Sequence, residues 1–156
     1  MIYIGIIGAR KYKDRQSVIS LVHSLPSNSI IVTSSCKGVC TWAGSVAKEV
    51  GFEIKTFTPD LKGINNRAEM VNRYYRRNRE LIEACDIVHA FISQEAGLTG
   101  GTKYEIQYAK RLKKELFLHW ENSKVQRIRG QQTLPFKPRE KDQAVGWMNV
   151  FSEALG

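Results

Sequence analysis

Tyr3-Ile4-Gly5-Ile6-Ile7-Gly8-Ala9-Arg10 is the stretch from which the rest of the chain can be read. From Tyr3 to Ile7 no polar residue interrupts the run, and Gly8 ends it. A strand with one wet face alternates apolar and polar side chains, whereas a strand covered on both faces reads as a continuous apolar run. The stretch therefore predicts a central strand of a parallel sheet, with a glycine turn and an arginine at its carboxyl end.

Working outward, Val18, Leu21, Val22 and Leu25 recur at helical spacing and stop at Pro26, with Ser27-Asn28-Ser29 as the loop. Ile30 to Thr33 is β-branched and reads as the second buried strand. After Ser34 to Gly38 a helix places Trp42, Ala43, Val46, Ala47 and Val50 on one face, and Gly51 supplies its stop. Phe52 to Thr58 is a third strand and Pro59 to Asn66 a loop. Arg67 to Cys85 is a helix with Met70, Tyr74, Leu81 and Ile82 on one face, followed by a strand from Asp86 to Ile92. A small-residue loop from Ser93 leads to a helix over Thr102 to Lys113, with Ile106, Ala109 and Leu112 inward, and then a strand from Leu116 to Trp120. Lys110 to Lys114 reads as the solvated end of that helix, where cations favour the negative end of the dipole.

Alternating strands and helices require a mostly parallel sheet covered on both faces. The expected fold class is α/β, a Rossmann-like three-layer sandwich with a five-stranded sheet. One domain spans residues 1–156, with a core over about 1–120 and a basic loop plus C-terminal helix over 121–156. Glu121 to Asp142 breaks the rhythm, and is read as either a mobile segment or one that packs across a sheet edge. The last helix, Glu140 to Leu155, would cap the sheet or make a homodimer contact.

Ile2 to Ile7 is too short to span a bilayer and lacks a basic leader and cleavage site, so no membrane partner and a cytoplasmic location are expected. Cys36, Cys40 and Cys85 are odd in number and read as packed thiols, and His23, His89 and His119 are scattered, so neither a disulfide framework nor a metal site is expected. No cofactor is called for. The net charge of +9 attracts polyanions without naming one.

Ligands of open α/β sheets bind beyond the carboxyl ends of the strands, where glycine loops bring backbone amides to phosphate. Three loops qualify: Gly8-Ala9-Arg10, Ser34-Ser35-Cys36-Lys37-Gly38, and the loop ending in Gly100-Gly101-Thr102. Arg10 is placed to hold phosphate bidentately. Only one side of the arginine-dense helix Arg73 to Arg79 can face the cleft, so one arginine, not all, is expected there. Asp86 reads as a strand-start hydrogen-bonding residue. Thr102 is read as the cap of the following helix. Thr102 and Glu105 then either close a capping box, or Glu105 lies at the pocket floor, against a ribose or a breaking glycosidic bond.

Taken together, Ile4 to Arg10, Val32 to Gly38, Arg77-Asn78 and Gly100-Gly101-Thr102-Lys103-Tyr104-Glu105 resemble the SLOG superfamily. That group holds Rossmann-like relatives of the Lonely Guy phosphoribohydrolases and of the DNA-processing protein DprA. The YspA-like branch is the nearest pattern, over about Tyr3 to Trp120. Ser34-Ser35 and Cys40 stand where that branch has Gly-Gly and Asp, and Asn78 stands where the Lonely Guy enzymes have Lys. The resemblance implies that Arg77 and Glu105 are the pair for N-glycosidic cleavage of a nucleoside monophosphate. Gly101 to Ala109 is also similar to the nucleoside 2-deoxyribosyltransferases, but Thr99 occupies the place of their Asp.

The sequence thus points first to a nucleotide-binding sensor or carrier, with contacts from Gly8, Ala9, Arg10, Ser34, Ser35, Lys37, Gly38, Asn78, Gly100, Gly101 and Thr102. A phosphoribohydrolase using Glu105 and Arg77 comes next. A DprA-like binder of single-stranded nucleic acid is the third reading, and it lacks an aromatic series within the basic stretches.

Overall fold

Ile4, Ile6 and Ile7 of the opening run are all buried, in a strand β1 (Ile2–Gly8) that has neighbours on both edges. The computed structural model describes residues 1–130, so the expected helix over 140–155 lies outside the described residues. The order after β1 is α1 (Arg15–Ser24), β2 (Ser29–Ser34), α2 (Val39–Val50), β3 (Glu53–Phe57), α3 (Arg67–Glu83), β4 (Ile87–Ile92), α4 (Gly100–Arg111), β5 (Glu115–Trp120) and β6 (Gln126–Ile128).

The strands make one sheet in the order β3-β2-β1-β4-β5-β6. Tyr3 pairs with Ile30, Ile6 with His89, Thr33 with Thr56 and Ala90 with Leu118, all in parallel. Side chains on the two faces of the strands enter separate cores. Ile4, Ile6 and Ile31 pack with Val18 and Val22 of α1 and Val39, Ala43, Val46 and Ala47 of α2. Ile7, Val32, Val88 and Ala90 pack with Leu81 and Ile82 of α3 and Ile106 and Ala109 of α4. Each fully buried aliphatic side chain contributes roughly 1.5–3 kcal/mol, so the sheet is held from both sides. This is the expected Rossmann-like sandwich.

The sheet has six strands among the described residues, not five. Glu121 to Ser123 turn back after β5, and β6 runs antiparallel to it, pairing Phe117 with Arg127 and Leu118 with Gln126. The described part of the basic segment, 121–130, therefore lies along the sheet edge through β6, and the rest of it lies outside the described residues. Gly51 ends α2 in the left-handed conformation, as predicted. Val50 and Leu112, expected on inward faces, are 42% and 38% exposed, each at the carboxyl end of its helix. Asp86 bridges strand starts: its N–H donates to Tyr3 O at 2.8 Å and its carboxylate accepts from Tyr3 N at 2.9 Å.

His89 and His119, far apart in sequence, are neighbours on β4 and β5, with Nδ1 and Nε2 2.8 Å apart. Burial pushes His89 down to about 3, with the charge of His119 adding to the effect, and burial alone pushes His119 down to about 4. The pair is neutral at neutral pH. Among the described residues no three His, Cys, Asp or Glu side chains are grouped to hold a metal ion, and no helix is long and apolar enough to cross a membrane.

Candidate functional site

The chain leaves β1 toward β2 on one side, while β4 lies on the other, so the loops after β1 and β4 diverge. At such a reversal of strand order a crevice opens beyond the carboxyl ends of the strands. A cavity of about 360 Å³ lies there. Its wall takes Gly8 from the end of β1 and Arg10 from the loop after it, Ser34 from the end of β2 and Ser35 to Lys37 from the loop after it, and Cys40 from α2. Pro59 and Leu61 come from the loop after β3, Tyr74, Arg77 and Asn78 from α3, and Gly101, Thr102 and Glu105 from α4.

Ten of the thirteen residues proposed from the sequence meet at this cavity, and Ala9, Gly38 and Gly100 do not line it. Ala9 is buried, 6% exposed, with its N–H donating to Phe91 O. Gly38 holds φ at +87°, a turn disfavoured for side-chain-bearing residues, and its missing Cβ would stand 3.4 Å from Arg10 O. It shapes the loop from behind. A Cβ at Gly8 would meet Val39 and Phe91 within 3 Å, so glycine there lets the start of α2 close against β1 and β4.

The helix after the glycine loop begins earlier than expected. Thr99, in extended conformation, is the N-cap of α4, and Lys103 N donates to Thr99 O at 3.2 Å. Gly100, Gly101 and Thr102 form the first turn, so Thr102 is not a cap and no Thr102–Glu105 capping box forms. Glycine is costly in a helix interior but tolerable in a first turn, whose N–H groups have no intrahelical partner. Glu105 instead lies one turn into α4, on the cavity wall.

The helix starts differ in a consistent way. Asp14 caps α1 by accepting from Ser17 N, and Asn66 caps α3 by accepting from Glu69 N. The caps of α2 and α4, Gly38 and Thr99, make no side-chain hydrogen bond to their helices. These are the two helices whose first turns line the cavity.

Arg77 is the buried cation of the site. It is only 4% exposed, its Nε donates to Asn78 Oδ1 at 2.8 Å, and its Nη2 donates to Cys36 Sγ at 3.5 Å. The guanidinium carbon lies 5.5 Å from the centre of the Tyr74 ring. Nη1 is buried with no hydrogen-bond partner. Its neighbours in the sequence are spent elsewhere: Arg73 pairs with Asp60, Arg76 with Glu80, and Arg79 donates to Tyr104 Oη. One arginine of the cluster faces the cleft, as expected.

Cys36, Cys40, Pro59, Leu61 and Tyr74 also line the cavity and were not among the predicted contacts. Tyr74 falls on the helical period that marks a core face, and nothing in the sequence separates a ring in the core from one against the cleft. Burial raises the Cys40 thiol above its usual range, and the Cys36 sulfur adds to the effect.

A second cluster of backbone donors lies nearby, after β5. There the Glu121 carboxylate accepts from Lys13 N at 2.6 Å, Gln94 N at 3.0 Å and Asp14 N at 3.2 Å.

No protein-family model matches the chain, and no curated protein matches it. A solved structure of DNA processing protein A from Helicobacter pylori, a protein with a single-stranded DNA binding mode, is similar to it. The two are 20% identical with a TM-score of 0.55, over 99% of this chain and 80% of that one. They share a fold. At that identity the likeness shows the α/β fold alone.

Proposed function

We propose that the chain belongs to the SLOG superfamily and binds a nucleotide or nucleotide-derived phosphate ligand at the carboxyl ends of its parallel strands, as a sensor or carrier. Arg77 carries the reading. Its charge is almost fully withdrawn from water on the cavity wall, with one N–H group lacking an acceptor, and an anion bound there would balance it. Arg10 and Lys37 add positive charge to the same wall, against the single carboxylate of Glu105. The uncapped first turns of α2 and α4 offer backbone N–H groups to the same anion. Pro59, Leu61 and Tyr74 add apolar surface to the lining, against which a base would pack. A volume near 360 Å³ is at the small end of the roughly 300–1,000 Å³ found for ligand sites, which suits a mononucleotide. Calorimetric titration with AMP tests the reading: saturable binding with one site is expected, and no heat with AMP, GMP, CMP or ADP-ribose rejects it.

One observation favours a catalytic version. Glu105 lines the cavity from one turn into α4, and a carboxylate there would stabilise the positive charge that develops on a ribose as its glycosidic bond breaks. Release of free base from AMP, GMP, CMP or their deoxy forms, lost in Glu105→Gln, is the expected result of that version. Base release that survives the substitution rejects it.

The fold shared with DNA processing protein A and the net charge of +9 support a third reading, a single-stranded nucleic-acid partner. Binding to an oligonucleotide that weakens steeply with added salt is its signature.

A further inference from the structure

The three cysteines occupy three different environments. Cys85 is 1% exposed, its thiol donates to Leu81 O, and burial first, with nearby carboxylates, pushes it up to about 12. Cys40 is 3% exposed and also raised by burial. Cys85 is a packed core thiol, and Cys40, though it borders the cavity, is almost fully covered. Cys36 is half-buried, lines the cavity, and its sulfur accepts a hydrogen bond from the Arg77 guanidinium. The thiolate is the nucleophilic form of cysteine, and access from the cavity decides which thiol a dissolved oxidant meets.

We infer that Cys36 is a peroxide-reactive thiol whose oxidation closes the anion site around Arg77. This rests on the reading of the cavity as a phosphate site. The Cys36 thiol gives its proton to solvent, and the thiolate attacks one oxygen of hydrogen peroxide. An S–O bond forms and the O–O bond breaks. The sulfur is oxidised by two electrons to a sulfenic acid, and the departing hydroxide takes a proton from solvent. The new oxygen lies between Cys36 Sγ and a guanidinium only 3.5 Å away, so it takes the donors that a phosphate would use. The coupling is reciprocal: a bound phosphate covers Cys36 and slows its oxidation. Cys40, four residues on and facing the same cavity, can condense with the sulfenic acid, forming a disulfide and releasing water.

The test is hydrogen peroxide treatment of the full chain, trapping with a cyclic 1,3-dione, peptide mass mapping, and AMP titration before and after. The dione adduct is expected on Cys36, in the wild type or, where Cys40 would consume it, in Cys40→Ser. AMP affinity should fall at least tenfold on oxidation and return on reduction with dithiothreitol. Saturating AMP should slow labelling. In Cys36→Ser the AMP affinity, whatever its value, should be the same before and after peroxide. Oxidation confined to Cys40 or Cys85, or an unchanged affinity with Cys36 fully oxidised, overturns the inference. Absence of AMP binding by the reduced protein sinks the nucleotide reading and the control with it, whereas labelling of Cys36 is scored without any ligand.

Discussion

Two clusters of hydrogen-bond donors stand at the carboxyl end of the sheet, and the chain completes one and not the other. Beyond β5, the backbone N–H groups of Lys13, Asp14 and Gln94 converge on Glu121, which ties together the loops after β1 and β4. In the crevice between those same loops, Arg77 keeps Nη1 buried and without a partner. Both places gather positive character where strand ends and helix starts leave donors unpaired. Where the sequence supplies its own carboxylate, the donors become architecture. Where a donor such as Arg77 Nη1 has no acceptor from the chain, an anion from outside can complete it.

The sharpest way to break this comparison is to remove one member of each cluster and see which observable moves. Arg77→Ala should weaken AMP binding by about a hundredfold, since charge-assisted hydrogen bonds to a buried anion contribute about 1.5–3 kcal/mol and this side chain offers more than one donor. Titration calorimetry reads that loss. If the affinity drops less than threefold, Arg77 is a structural residue and the two clusters are alike.

Glu121→Ala should do the opposite. Its unfolding free energy should fall by about 1–2 kcal/mol, as three backbone donors exchange a charged acceptor for water, while AMP affinity stays within threefold. Burial raises the Glu121 carboxyl, but the N–H groups of Gln94, Lys13 and Asp14, helped by the Lys13 charge, outweigh it and hold the group below the ordinary carboxylate range. A carboxyl depressed in the folded state stabilises the fold above its unfolded pKa and loses that contribution as pH falls through the folded value. The gap between wild type and Glu121→Ala in urea unfolding should therefore be full at pH 7 and close on acidification. A gap that is constant with pH would mean that shape, not charge, fixes these loops.

The smallest effect belongs to Lys37→Ala. Its exposed ammonium acts through solvent, so AMP affinity should fall only a few-fold, and raising the salt from 0.05 to about 0.5 M should erase the difference. Persistence at high salt would place Lys37 in direct contact with the ligand.

Much of this arrangement was legible in the sequence. The unbroken run from Tyr3 to Ile7 predicts a doubly covered strand, and helical spacing with Gly51 as a stop predicts α2, because burial on two faces and helix termination both leave local marks. The glycine loops and Arg77 lead to the crevice for a similar reason: strand ends and helix starts fall where those residues are. The parts that stayed hidden depend on tertiary placement. The three residues of β6, Gln126–Ile128, carry no alternation of their own and become a strand only by pairing with β5. Thr102 looks like a cap because Gly100 and Gly101 look like loop, yet the glycines are buried in the first turn. Tyr74 and Leu81 share a helical period, but α3 runs from the cavity wall into the core, so one stripe serves two surroundings. The histidines are distant in sequence and adjacent only through the β4–β5 register.

The margins of the sheet carry a consequence for how copies of the chain behave toward one another. An outermost strand with open backbone groups is a template for further strands, and proteins blunt it with brevity and charge. At one margin β3 has five residues, with Glu53 and Lys55 exposed and Lys55 drawn over the Phe57 ring. At the other, β6 has three residues, and its Arg127 is pinned to Glu115 and lies over Phe117. Among the described residues neither margin offers a long, flat, uncharged ribbon, so these two strands disfavour growth into fibrils by edge-to-edge addition.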